Sequence, residues 1–214
     1  MAHLADAFIA NLEGADAYTS PYRHWILKEV VPAPIAQELN DLEIPMAAGL
    51  NYGGQRALND SLRAFFDTQR QAENPTIAAF AETFRAPETI AAIETITDCD
   101  LTGSLLRIEY CQDGDGFWLE RHTDIGAKLF TFLVYLTVGE GSDNCGTDIF
   151  DDDGNLVKSA AFKFNTGLIF VPANNTWHGF NRRRINGVRK TIIINYVKPE
   201  WRARHELAFD TPVK

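Results

Sequence analysis

The chain has five histidines, and two of them are placed to do chemistry. His122 and Asp124 form an HxD pair in "WLERHTDIG", just ahead of a long apolar run. On extended backbone, residues two apart point to the same side of a sheet. His178 lies in "GLIFVPANNTWHGF", directly after an apolar strand and a proline turn. In a jelly roll, strands separated this far along the chain can face one another across the mouth. Two imidazoles and one carboxylate gathered there make the facial set that holds non-heme Fe(II), leaving metal positions open for other ligands. Further on, "RKTIIINYV" follows the Asn186-Gly187 turn, and alternation puts Arg189, Thr191, Ile193 and Asn195 on one face. If that face lines the interior, Arg189 offers a guanidinium fork to the far end of a dicarboxylate, with the Thr191 hydroxyl beside it. An arginine opening a strand at a solvated rim is the plainer alternative. His24, in "SPYRHWIL", reads as a satisfied, partly buried histidine, and His3 and His205 lie near the ends of the sequence.

The elements that must position these side chains fall into two rhythms. Up to about residue 97 the signals are helical: "LADAFIANL" and "APIAQELNDL" carry apolar residues at three- and four-residue steps. "SLRAFFDTQRQ", "NPTIAAFAETF" and "APETIAAIETI" follow, the last two opened by Asn74-Pro75 and Ala86-Pro87. "PMAAGLNYGGQRALND" between them is Gly-rich and irregular. From residue 101 the pattern becomes β. Strands are expected at "SLLRIEYC", "WLERHTD", "LFTFLVYLT", "TDIFD", "NLVKSAAF", "GLIFVPA", "WHGFNR" and "KTIIINYVK", with turn residues between them. Short strands without intervening helices predict an α+β protein with a mainly β core, a jelly roll carrying helices on one sheet. One domain is expected: a helical part with a candidate substrate lid over 1–100, a core over 101–198, and a tail over 199–214.

Of 214 residues, 45 % are hydrophobic and 11 % aromatic, which describes a globular chain. The net charge of −9 argues against a nucleic-acid partner held by general electrostatics. No window reaches the roughly 20 apolar residues that a membrane span requires, and "MAHLADAFIANLEG" reads as a first helix and not as a signal peptide. Cys99, Cys111 and Cys145 are odd in number and form no CxxC pair, as expected of free thiols in a cytoplasmic protein.

Taken together, these motifs resemble those of the Fe(II)/2-oxoglutarate-dependent oxygenases, in particular the branch related to prolyl 4-hydroxylases. Tyr110, Gly114 or Gly116, Phe117 and His122-Thr123-Asp124 match the approach to the first metal ligands. Thr131 with Tyr135-Leu136, then "GTDIF" (Gly146 to Phe150), "TGLIFVPANNTWHGF" and Arg189-Lys190-Thr191 follow in the same order. The resemblance covers roughly residues 101 to 198. It implies that His122, Asp124 and His178 bind iron and that Arg189 pairs with the 5-carboxylate of 2-oxoglutarate. Tyr135 matches a tyrosine that hydrogen-bonds this carboxylate, and Tyr110 one near the cosubstrate. The implied reaction consumes O2 and 2-oxoglutarate, releases succinate and CO2, and hydroxylates a C–H bond. Asn195 stands where some relatives carry an aromatic. Asp124, in place of Gly or Ala, disfavours the halogenating variant.

Two other readings stay open: a cupin-like metal-dependent isomerase without 2-oxoglutarate, and a jelly-roll module that binds a sugar or peptide without turnover. The substrate class spans small molecules, peptidyl side chains and glycans. Arg56, Asn59 and Arg63 are candidate lid residues that would contact it. "FDDDGNLV" reads as a hairpin tip around Asp153-Gly154, not a calcium loop. Arg182, Arg183 and Arg184 read as a solvated hairpin face, with an arginine reaching the site mouth as the alternative. Trp118 and Trp177 are expected in the core.

Overall fold

A computed structural model of the chain describes residues 2–46, 53–55, 63–139 and 142–213. The helices are α1 (Ala2–Glu13), α2 (Ala33–Asn40), α3 (Thr68–Glu73), α4 (Pro75–Arg85) and α5 (Pro87–Thr97). The Asn74 side chain accepts from the Thr76 and Ile77 amides and Pro75 fills the first helical position, so α4 starts where its sequence places it. In the N-terminal half lie β1 (Asp16–Tyr18), β2 (His24–Leu27) and β3 (Arg63–Phe65). Then come β4 (Leu105–Asp113), β5 (Leu119–His122), β6 (Lys128–Tyr135) and β7 (Asp148–Phe150). The last are β8 (Leu156–Ser159), β9 (Thr166–Phe170), β10 (His178–Phe180) and β11 (Arg189–Val197).

Two antiparallel sheets result. The larger runs β1-β2-β9-β6-β11-β4-β3, the smaller β5-β10-β7-β8. From β4 onward the chain passes repeatedly from one sheet to the other, the jelly-roll arrangement expected. Each expected strand after residue 101 forms. Two corrections fall in the N-terminal half. "SLRAFFDTQRQ" is not one helix: Arg63–Phe65 pairs with β4, and α3 starts only at Thr68, where Asp67 caps the Arg70 amide. "HWIL" forms β2 against β9, at the opposite side of the same sheet. Arg56, Asn59 and most of the Gly-rich stretch lie outside the described residues.

The larger sheet separates two cores. Its outer face carries Ile108, Tyr110, Phe132, Ile192 and Tyr196 against Phe8, Phe80 and Phe84 of the helices. Phe8 and Phe84 meet edge-on at 4.9 Å, and the Tyr196 hydroxyl donates to the Phe84 carbonyl. Each such ring contributes about 2–3 kcal/mol by leaving water. The inner face contributes Leu133, Tyr135, Leu168 and Phe170, which pack on Ile149 and Phe180 of the smaller sheet. The polar site lies within this inner layer, so the helices brace it from behind.

Candidate metal and cosubstrate site

β10 pairs with β5 so that His178 stands opposite His122, with ring centroids 4.4 Å apart. Asp124 follows β5 by two residues, and donor atoms of all three side chains lie within 4.8 Å of one another. The Nδ1 of His122 meets the Glu120 carbonyl at 2.8 Å, and that of His178 meets the Thr176 carbonyl at 2.9 Å. Each contact requires Nδ1–H, which puts the lone pair of each ring on Nε2, the form a metal takes. Burial pushes the His178 pKa down to about 4, against the opposing pull of Asp124, so this ring is neutral at pH 7. Burial alone would raise the Asp124 carboxyl. Lys128, His178 and the Thr131 hydroxyl outweigh it and hold the group well below the usual carboxylate range. Two imidazoles and one ionised carboxylate are a donor set that fits Fe(II).

Behind Asp124 runs a string of buried polar contacts. Lys128 Nζ donates to Asp124 Oδ1 and Thr131 Oγ1 to Oδ2, each over 2.6 Å. Asn195 Nδ2 donates to Thr131 Oγ1 at 3.0 Å, and Arg107 Nη1 donates to Asn195 Oδ1 at 3.3 Å. Arg107 also pairs with Glu109 at 2.6 Å and with Glu206, of the short turn after β11. Arg63 then links Glu109 (3.5 Å) to Asp113 (3.2 Å). Asp113 Oδ2 in turn accepts from Arg189 Nη1 at 2.7 Å.

Arg189 sits at the far end, buried, with Nε donating to the Cys145 carbonyl and the rings of Phe180, Phe162 and Phe117 4.9–5.9 Å from its guanidinium carbon. Arg189, His122, Asp124 and His178 line one cavity of about 50 Å³. The Thr191 hydroxyl, on the same face of β11, is buried and makes no hydrogen bond. Tyr135 reaches this layer too, donating to Thr147, which lines the cavity. Tyr110 does not. It pairs with Ile192, whose side chain faces the helices, and its ring stacks on Phe66 in the outer core. Because β4 and β11 run in register to the Asp113–Arg189 pair, odd positions of β4 face inward and Tyr110 faces out.

Sequence reasoning missed Glu109, Asp113 and Lys128 as lining residues. The signal was present in "RIEYCQD", where charged side chains alternate along a strand that is buried throughout. His24 is buried with Nδ1 at the Tyr22 carbonyl, between the Tyr18 and Tyr22 rings. Trp118 and Trp177 are half-buried and carry Arg182 and Arg121 over their rings, so neither is a core residue. Arg183 turns inward to pair with Asp148 at 2.9 Å; Arg182 and Arg184 are exposed. Asp151 accepts from the Asn155 amide across the β7–β8 hairpin, whose tip holds Gly154 at positive φ.

Scans against protein-family models and curated proteins find no match to this sequence. Solved structures do match. A Pseudomonas putida prolyl-4-hydroxylase aligns over 91 % of this chain and 99 % of its own, at TM-score 0.58 and 12 % identity. A Trichoplax adhaerens prolyl hydroxylase, in complex with a hypoxia inducible factor oxygen degradation domain peptide fragment, aligns over 91 % and 89 % (TM-score 0.59, 17 % identity). HygX from Streptomyces hygroscopicus, with nickel and 2-oxoglutarate bound, aligns over 84 % of each chain (TM-score 0.51, 14 % identity). The chain therefore has the jelly-roll fold of the prolyl 4-hydroxylase-like 2-oxoglutarate oxygenases. At these identities the likeness is one of fold.

Proposed function

We propose that this protein is an Fe(II)- and 2-oxoglutarate-dependent dioxygenase that hydroxylates a C–H bond of its substrate. The observation that carries the reading is the convergence of His122, Asp124 and His178 in the same cavity as Arg189. His122, Asp124 and His178 would hold the metal, which supplies the oxygen activation and couples it to oxidation of 2-oxoglutarate to succinate and CO2. Arg189 orients the cosubstrate by pairing with its 5-carboxylate. Among aromatic rings its N–H groups are poorly hydrated, which strengthens that pairing. The Thr191 hydroxyl, which lacks a partner, donates to the same carboxylate, and Tyr135 holds Thr147 at the cavity wall. Thr131 and Lys128 fix the Asp124 carboxylate. Phe117, Phe180 and Leu133 exclude water from the space between metal and arginine.

A second reading has an observation in its favour: Asp113 already pairs with Arg189, as it would in a metal-dependent isomerase that needs no dicarboxylate. Asp113 is shared with Arg63, however, so Arg189 does not hold that carboxylate alone, and an incoming dicarboxylate can compete for its guanidinium. Succinate release decides between the readings. Formation that requires both Fe(II) and 2-oxoglutarate supports the oxygenase; substrate turnover without either succinate or 2-oxoglutarate binding supports the isomerase.

A further inference from the structure

We propose that the substrate is a small zwitterion of the free amino-acid type, held by Arg63 and Glu109, an inference that rests on the oxygenase reading above. Both residues line the cavity that contains the metal-binding cluster and Arg189. Both side chains are almost wholly buried, 5 % and 1 % exposed. Their pairing is looser than the rest of the network. Arg63 Nε stands 3.5 Å from Glu109 Oε1 and makes no hydrogen bond, whereas the Arg107–Glu109 and Arg189–Asp113 contacts are 2.6 and 2.7 Å. A buried N–H without an acceptor is destabilising, and a ligand carboxylate relieves that.

Charge balance narrows the class further. Arg63, Lys128 and Arg189 line the cavity with Glu109, Asp113 and Asp124, three positive groups against three negative. A divalent metal and a dicarboxylate cosubstrate add equal and opposite charge. The remaining space is neutral, so a phosphate ester or a polycation would bring an unmatched buried charge. A zwitterion brings none: its carboxylate takes Arg63, its ammonium takes Glu109, and one ion pair is exchanged for two. A residue inside a peptide lacks both charges and gains neither contact. Phe117, Leu119 and Ile193 line the same cavity and offer an apolar wall to an aliphatic side chain.

The test measures succinate release by the Fe(II)-loaded enzyme with each common L-amino acid and with its N-acetyl amide. At least one free amino acid should stimulate release tenfold or more, and its blocked derivative should not. Arg63→Met and Glu109→Gln should each raise KM for that amino acid at least thirtyfold. The 2-oxoglutarate affinity of the Mn(II)-loaded Glu109→Gln variant, titrated without oxygen, should move less than threefold. If Arg63→Met does not fold, Arg63→Lys should show the same KM shift in smaller measure. Blocked derivatives as effective as free ones, unchanged KM in the variants, or no stimulation in a protein that binds 2-oxoglutarate overturns the zwitterion and spares the oxygenase. Absence of 2-oxoglutarate binding to the metal-loaded protein removes both.

Discussion

Lys128 donates to Asp124 across 2.6 Å, with both side chains almost fully buried, so the carboxylate of the candidate metal cluster already has a cation beside it. That ammonium compensates Asp124 in the metal-free protein and opposes a dication in the loaded one. Lys128→Met should lower the metal-free melting temperature, since removing one member of a buried pair costs about 3–5 kcal/mol. The same change should tighten Mn(II) binding by about tenfold, roughly 1.4 kcal/mol. Weaker Mn(II) binding in a folded variant would show that Lys128 supports the metal instead of opposing it.

Arg189→Met should abolish detectable 2-oxoglutarate binding, a loss of about 2–5 kcal/mol for truncating one partner of a buried charge pair. Mn(II) affinity should stay within threefold, because Arg189 is not among the candidate metal ligands. Arg189→Lys should recover part of the binding, lacking the two-pronged geometry. Anaerobic calorimetry on the metal-loaded variants reads both quantities, and unchanged 2-oxoglutarate affinity would sink the assignment.

Gly179 separates His178 from Phe180 in β10, and a Cβ there would stand 2.8 Å from the Leu119 carbonyl and 3.1 Å from Arg121 Cα. Both belong to β5, the strand that carries His122. Gly179→Ala should therefore push the strands apart and separate the imidazoles. We expect a stability loss of about 1–3 kcal/mol, as for other overpacked sites, together with a loss of metal affinity of at least tenfold. A variant that is destabilised but binds metal normally would show that β5 and β10 adjust as a unit.

Tyr110→Phe tests the outward placement of that ring. Its hydroxyl is buried without a hydrogen-bond partner, so removing it should leave 2-oxoglutarate affinity within twofold and raise stability by up to about 1 kcal/mol. A large drop in cosubstrate affinity would place the ring functionally on the inner side.

That His122 and Asp124 lie together was legible in the HxD spacing, whereas His178 joins them only through the β10–β5 pairing; the face of β11 was legible because "RKTIIINYV" is long and regular. Tyr110 was misplaced because its facing depends on the register between β4 and β11, which no local pattern encodes. β4 also runs two residues beyond the expected "SLLRIEYC", and those residues include Asp113, the partner of Arg189. β2 and β3 were missed for a related reason. "HWIL" and "RAF" are too short to show a period and are stabilised by β9 and β4, remote in sequence. Charge alternation in β4 was readable, but its meaning required knowing which face met the smaller sheet.

The string of contacts from Lys128 through Arg107 to Arg189 bears on how such a chain can drift. Each interior member stands between two neighbours, so replacing one alone takes a contact from a buried charge or dipole on both sides. Changes that remove adjoining partners together leave no such orphan. Homologues should then retain these side chains as a block or exchange them in matched sets, and lone replacements among them should be scarce.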